Sequence, residues 1–157
     1  MKGFVLPLFN LLSTIFTQLI PEFTILALYM VTLTTHGVKI TVQNNYEDLH
    51  SRPTNRYFIF SYRITIENNT SSPIQLLRRH WYIFDSMSGW SEVEGEGVVS
   101  RKPLLYPSEE YQYESFCPLV SEAGKIYGTY LMENKSDGTT FFVNIPLFNM
   151  IVPCKNN

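Results

Sequence analysis

The stretch Gln75–Ser100, QLLRRHWYIFDSMSGWSEVEGEGVVS, decides the fold. Its first half, Gln75–Asp85, mixes large apolar and aromatic residues with charges, a composition that suits a pleated, half-buried strand. Ser88-Gly89 carries turn chemistry, and Ser91–Val99 then alternates glutamates with valine and glycine as a second strand. At a period of two, Leu77, Arg79, Trp81 and Ile83 share one face of the first strand, and Arg78, His80, Tyr82 and Phe84 share the other. A tryptophan on this strand suits the core between two sheets.

Outward from this hairpin, the rest of the chain has the same character. Val38–Gln43 alternates Val38, Ile40 and Val42 against polar neighbours. Arg56–Glu67 is the clearest strand, with Phe58, Phe60, Tyr62, Ile64 and Ile66 on one face. Asn44–Asn55 reads as a loop and Asn68–Pro73 as a turn. Arg101–Glu110, with Pro103 and Pro107, reads as a crossing loop. Tyr111–Phe116 is a strand expected to stop at Cys117-Pro118, because proline cannot donate to a ladder. Ile126–Glu133 and Thr139–Ile145 flank Asp137-Gly138, a strong hairpin signal. Pro146 and Pro153 bracket a last extended piece, Leu147–Val152. No helical stripe follows Met30. About seven short strands with turns between them predict an all-β, antiparallel immunoglobulin-like β-sandwich.

Composition narrows the function. The 157 residues suit one domain, and 45% hydrophobic with 17% charged residues describes a globular chain. A formal charge of -2 argues against nucleic acid as a partner, since such proteins carry a basic stripe. Cys117 and Cys154 form neither a disulfide framework nor a zinc set, which fits free thiols in the cytoplasm. His36, His50 and His80 lie on separate segments without metal spacing, and no nucleophile–base signature is present, so no enzyme is predicted.

Residues 1–29 differ from the rest: MKGFVLPLFNLLSTIFTQLIPEFTILALY is apolar, with Lys2 and Glu22 its only charges. It reads as a secretory signal lacking a cleavage site, as a membrane anchor interrupted by Pro7, Asn10, Gln18 and Pro21, or as residues upstream of a true start at Met30. The expected organisation is an apolar leader, 1–29, followed by a β-sandwich domain, 30–157. A membrane becomes a partner only if the leader is retained.

Leu76–Asp85, LLRRHWYIFD, followed by Glu92–Ser100, EVEGEGVVS, resembles the signature of the ApaG family. Glu114–Leu119, ESFCPL, and Gly124–Met132, GKIYGTYLM, match further blocks, and the resemblance runs over Met30–Pro153. It implies a fibronectin type III-like sandwich. It also implies a binding module rather than an enzyme, and a link to divalent cation (Co2+/Mg2+) homeostasis.

The family's Gly-x-Gly-x-x-Gly pattern suggests pyrophosphate binding, and here it falls on Gly95, Gly97 and Ser100, with serine at the third position. A dinucleotide fingerprint needs a helix to follow it, whereas Val98, Val99 and Pro103 oppose one. A phosphate would therefore rest on a nest of backbone N–H groups assisted by Arg101 and Lys102. The competing reading is that the glycines serve a bulge or a close approach of strands. Glu92, Glu94 and Glu96 project from one face as weak candidates for Mg2+ or Co2+, or as a solvated row protecting an edge. Arg78 and His80, on the face away from Trp81, are the candidate contact residues. The expectation is a binding module acting on a protein partner or a small ligand, with nucleotide or pyrophosphate binding as the alternative. Self-pairing through a strand edge is the oligomer this fold allows.

Overall fold

In the computed structural model, residues Met30–Cys154 are described, so the expectations placed on Met1–Tyr29 lie outside the described residues. The alternation seen in the sequence becomes two antiparallel sheets whose inner faces pack together. The first contains β1 (Met30–Thr35), β2 (Val38–Tyr46), β3 (Phe58–Asn68) and β7 (Glu110–Leu119), in the order β1-β2-β3-β7. The second has the order β5-β4-β8-β9: β5 (Gly89–Glu96), β4 (Ile74–Asp85), β8 (Ala123–Asn134) and β9 (Thr140–Ile151). A two-residue strand, β6 (Leu104–Leu105), continues the edge of β4 beside β5, pairing with Ile74 and Gln75. Among the described residues the edge strands are therefore β1, β7, β5 and β9, with β9 hydrogen-bonded to Thr35 and Asn44 of the other sheet, and self-pairing would have to use one of these edges.

The core follows the period-two pattern. Val38, Ile40 and Val42 from β2 and Phe60, Ile64 and Ile66 from β3 are buried against Trp81, Tyr130 and Phe148 of the other sheet. Trp81 makes ring contacts with Tyr62, Tyr130 and Phe148 at 5.8, 6.2 and 6.4 Å. Each such side chain contributes roughly 1.5–3 kcal/mol on burial.

Several boundaries differ from the sequence expectation. In β4 the buried residue is Leu76, not Leu77. A register shift between Leu76 and Arg78 inserts one residue, so the inward face changes from Ile74 and Leu76 to Arg79 and Trp81. Pro118 does not stop β7, which runs on to Leu119 with Pro118 opposite Ile59. β7 is an edge strand, where a missing donor costs no ladder bond when it faces outward. Pro146 likewise lies inside one continuous strand, β9, also at an edge. A register shift opposite Tyr127 absorbs it, and inward burial passes from Val143 and Ile145 to Phe148 and Met150. The second strand of the hairpin starts at Gly89 and stops at Glu96, because Gly97 takes φ +58° and leaves the strand. β1 and β6 were not anticipated: β1 has a largely exposed, non-alternating sequence, and β6 is too short for a pattern.

Candidate functional site

Two surfaces built from Gln75–Ser100 carry the chemistry. The first is the outer face of the β5-β4-β8-β9 sheet. Because β4 and β5 pair in register from Arg78↔Glu96 to Asp85↔Gly89, the side chains of Arg78, His80, Tyr82 and Phe84 stand beside those of Glu96, Glu94, Glu92 and Trp90. The contacts run diagonally. Arg78 Nη2 lies 3.0 Å from Glu94 Oε1, His80 Nε2 lies 2.8 Å from Glu92 Oε2, and Lys102 Nζ lies 2.9 Å from Glu96 Oε2. Lys102 holds the Glu96 carboxyl below its usual range, chiefly by hydrogen bonding. Every carboxylate of the comb is thus engaged by a basic side chain. Among the described residues no group of three or more His, Cys, Asp or Glu side chains is arranged to hold a metal ion. Arg78 and His80, the candidate contact residues, are partners of the comb.

Beyond the ion-pair ladder the same face is aromatic. Tyr82 stacks on Tyr127 at 4.9 Å between centroids, Phe84 lies 5.1 Å from Trp90, and Trp90 meets Tyr127 edge-on at 5.8 Å. Lys125 Nζ sits 5.4 Å from the Phe84 ring centre and 5.5 Å from that of Trp90. Trp90 remains 55% exposed.

The second surface is the glycine turn. Val98 N–H donates to Arg101 O at 2.8 Å and Arg101 N–H donates to Val98 O at 2.9 Å, closing a two-residue turn over Val99 and Ser100. Both central residues have positive φ, +45° and +59°, as a type I′ turn requires. A third glycine in the motif would suit the Ser100 position for that backbone reason. Gly97 N–H donates to Leu77 O, and a β-carbon at Gly97 would sit 2.1 Å from Arg101 O. The N–H groups of Gly97, Val98 and Arg101 are therefore consumed by carbonyls, which leaves little of the expected phosphate nest. Lys102 turns to Glu96.

Sequence reasoning passed over two residues in this region. Arg79, placed by alternation only on the face of Trp81, donates from Nη1 to Glu96 O at 3.0 Å and to Gly97 O at 2.8 Å, holding the turn from within. Asp85 is buried at the end of β4, accepting from Met87 and Ser88 N–H at 2.8 and 3.2 Å and from Val120 N–H at 2.7 Å. Desolvation raises its pKa, but the hydrogen bonds from Met87, Ser121, Val120 and Ser88 outweigh that and leave it lowered. An aspartate followed by a Ser-Gly turn was the available signal for the turn contacts. The Val120 contact is long-range and had none.

The ApaG domain model matches residues 48–134, which spans the whole hairpin and the glycine turn. The chain belongs to the ApaG family. Protein ApaG from Brucella abortus is 40% identical over 124 residues, covering 79% of this chain and 95% of that protein. Protein ApaG from Paramagnetospirillum magneticum is 41% identical over the same share of each chain. Among solved structures, a Bordetella pertussis protein designated ApaA superposes with a TM-score of 0.71 at 36% identity, covering 74% of this chain and 94% of that one. The ApaG β-sandwich expected from the sequence is the fold observed. Among the described residues no helix is long and apolar enough to cross a membrane.

Proposed function

We propose that this ApaG domain is a non-enzymatic binding module that engages a protein partner through the outer face of the β5-β4-β8-β9 sheet. The observation that carries the reading is the exposed cluster of Phe84, Trp90 and Tyr127 beneath Lys125. The rings lie against one another, Trp90 tilted on Phe84 and edge-on to Tyr127, so the surface is a non-planar aromatic cluster. That favours an apolar protein surface over a flat ligand stacking on a platform. Lys125 provides a cation beside the apolar patch for an acidic side chain of the partner, and aromatic anchors beside a charge are what binding hot spots consist of. Cys117 is not a candidate nucleophile, because burial and, less, Asp85 push its thiol up to about 11. A thiol so held is a poor nucleophile.

The test is capture from a lysate of the source organism with wild-type protein and with a Trp90→Ser/Lys125→Glu variant as baits. A protein retained by the wild type and lost by a variant of unchanged melting temperature supports this face as the interface. Identical captured sets would sink it. The small-ligand alternative is read by thermal shift with pyrophosphate, nucleotides, Mg2+ and Co2+, since a ligand selective for the folded state must raise the melting temperature.

A further inference from the structure

The sandwich is tied along one side and split along the other. Where β9 approaches β1 and β2, Asn144 N–H donates to Thr35 Oγ1 and Asn44 Nδ2 donates to Asn149 O, linking the sheets. On the opposite side, between the Val98–Ser100 turn and the free edge of β7, a cleft of about 300 Å³ enters between the sheets. Arg79, Tyr62 and Ser115 supply its polar wall, and Trp81, Val99 and Phe116 supply apolar surface.

Arg79 is half-buried in this wall, and among the described residues its only hydrogen-bond acceptors are the neutral carbonyls of Glu96 and Gly97. Among the described residues no carboxylate forms an ion pair with it. Glu96 is taken by Lys102, and Glu114, which also lines the cleft, is held by Arg63 at 2.5 Å. Among the described residues the Nη2 and Nε groups of Arg79 have no hydrogen-bond acceptor. A partly buried charge without a counter-charge is unfavourable, and a guanidinium with free donors is shaped to receive an oxyanion in two-point fashion. Tyr62 and Ser115 line the cleft beside it. Burial raises the Tyr62 pKa against the opposing effects of Ser115 and Arg79, so the phenol stays a protonated donor at neutral pH.

We propose that this cleft binds a small organic anion, with a carboxylate or phosphate group against Arg79 and the Tyr62–Ser115 hydroxyls and its apolar body against Phe116 and Val99. The volume sits at the lower end for small-molecule sites, enough for one ring bearing one anionic group. The site uses side chains between the sheets, not the backbone of the glycine turn, and does not overlap the outer face proposed for a protein partner.

The experiment is an NMR titration of the full-length chain, reading the Arg79 side-chain Nε–Hε resonance and the Ser100 and Ser115 amides. Phenyl phosphate, benzoate and inorganic phosphate are the probes. Saturable shifts with phenyl phosphate or benzoate at millimolar concentration are expected, and which of the two binds more tightly identifies the anionic group. Phe116→Ala is expected to weaken the aromatic probes several-fold and leave inorganic phosphate unchanged, and Tyr62→Phe to weaken every probe. Phe116 is 63% exposed, so its replacement leaves the fold intact even if Arg79→Gln does not. No shift of the Arg79 resonance with any probe overturns the proposal. So does binding that is indifferent to both variants, or inorganic phosphate binding as tightly as phenyl phosphate.

Discussion

The guanidinium of Arg79 fills the space a side chain at Gly95 would need. A β-carbon there would lie 3.2 Å from both Nη atoms and 3.3 Å from Cζ. At Gly97 the obstacle is backbone, Arg101 O at 2.1 Å, and φ is +58°. A side chain can shift and a backbone carbonyl in a paired turn cannot. Gly97→Ala should therefore lower the melting temperature more than Gly95→Ala, with the latter costing about 1 kcal/mol and the former at least ~2 kcal/mol. Thermal denaturation of the two variants decides it, and equal losses would contradict the clash.

The turn over Val99 and Ser100 places a β-branched residue at φ +45°. Left-handed valine is strained, and Asn-Gly is the pair this turn type favours. Val99→Asn with Ser100→Gly should raise stability by about 1 kcal/mol, visible as a higher urea midpoint at unchanged slope.

Asp85 provides a pH signature. Its folded-state pKa is lowered, so its contribution is present above the unfolded carboxyl value of about 3.9 and is lost as pH falls towards and through the folded value. Asp85→Asn should destabilise at pH 7 by about 1–3 kcal/mol, since an amide supplies one acceptor oxygen for several N–H groups. The gap from wild type should narrow on acidification below pH 4. A gap independent of pH would mean that the carboxyl has the same pKa folded and unfolded, which would contradict the lowered value.

The Tyr113 and Tyr130 hydroxyls meet at 2.5 Å inside the core, across the two sheets, and burial raises both pKa values. Tyr113→Phe alone strands a buried hydroxyl at a cost of about 1–3 kcal/mol, whereas replacing both tyrosines should cost less than the sum of the single changes. A double-mutant cycle by urea denaturation measures the coupling, and strict additivity would contradict it.

The ion-pair ladder of Arg78–Glu94, His80–Glu92 and Lys102–Glu96 is largely exposed. Replacing Glu92, Glu94 and Glu96 with Gln should lower the melting temperature only slightly, with most of the loss gone in high salt. A larger, salt-independent loss would mean the comb does more than offset neighbouring charges.

Period-two alternation was enough to place Val42, Ile64 and Trp81 in the core, because a strand buried on one face must write that face into every second residue. The hairpin and sandwich class follow from the same local signal. What alternation cannot encode is where an extra residue is absorbed. The bulge at Leu76–Arg78 and the register shift beside Pro146 change which residue faces inward. The tolerance of Pro118 and Pro146 depends on β7 and β9 being edge strands, which is a property of strand order. The glutamate comb and glycine motif were legible as patterns, yet their meaning was not. Only the β4–β5 register brings Arg78 and His80 to Glu94 and Glu92, and only the folded turn brings Lys102 to Glu96 and spends the glycine-loop N–H groups on carbonyls. Arg79 was visible as a residue from the start. That it stands in a cleft without a counter-charge was decided by two sheets packing across residues distant in sequence.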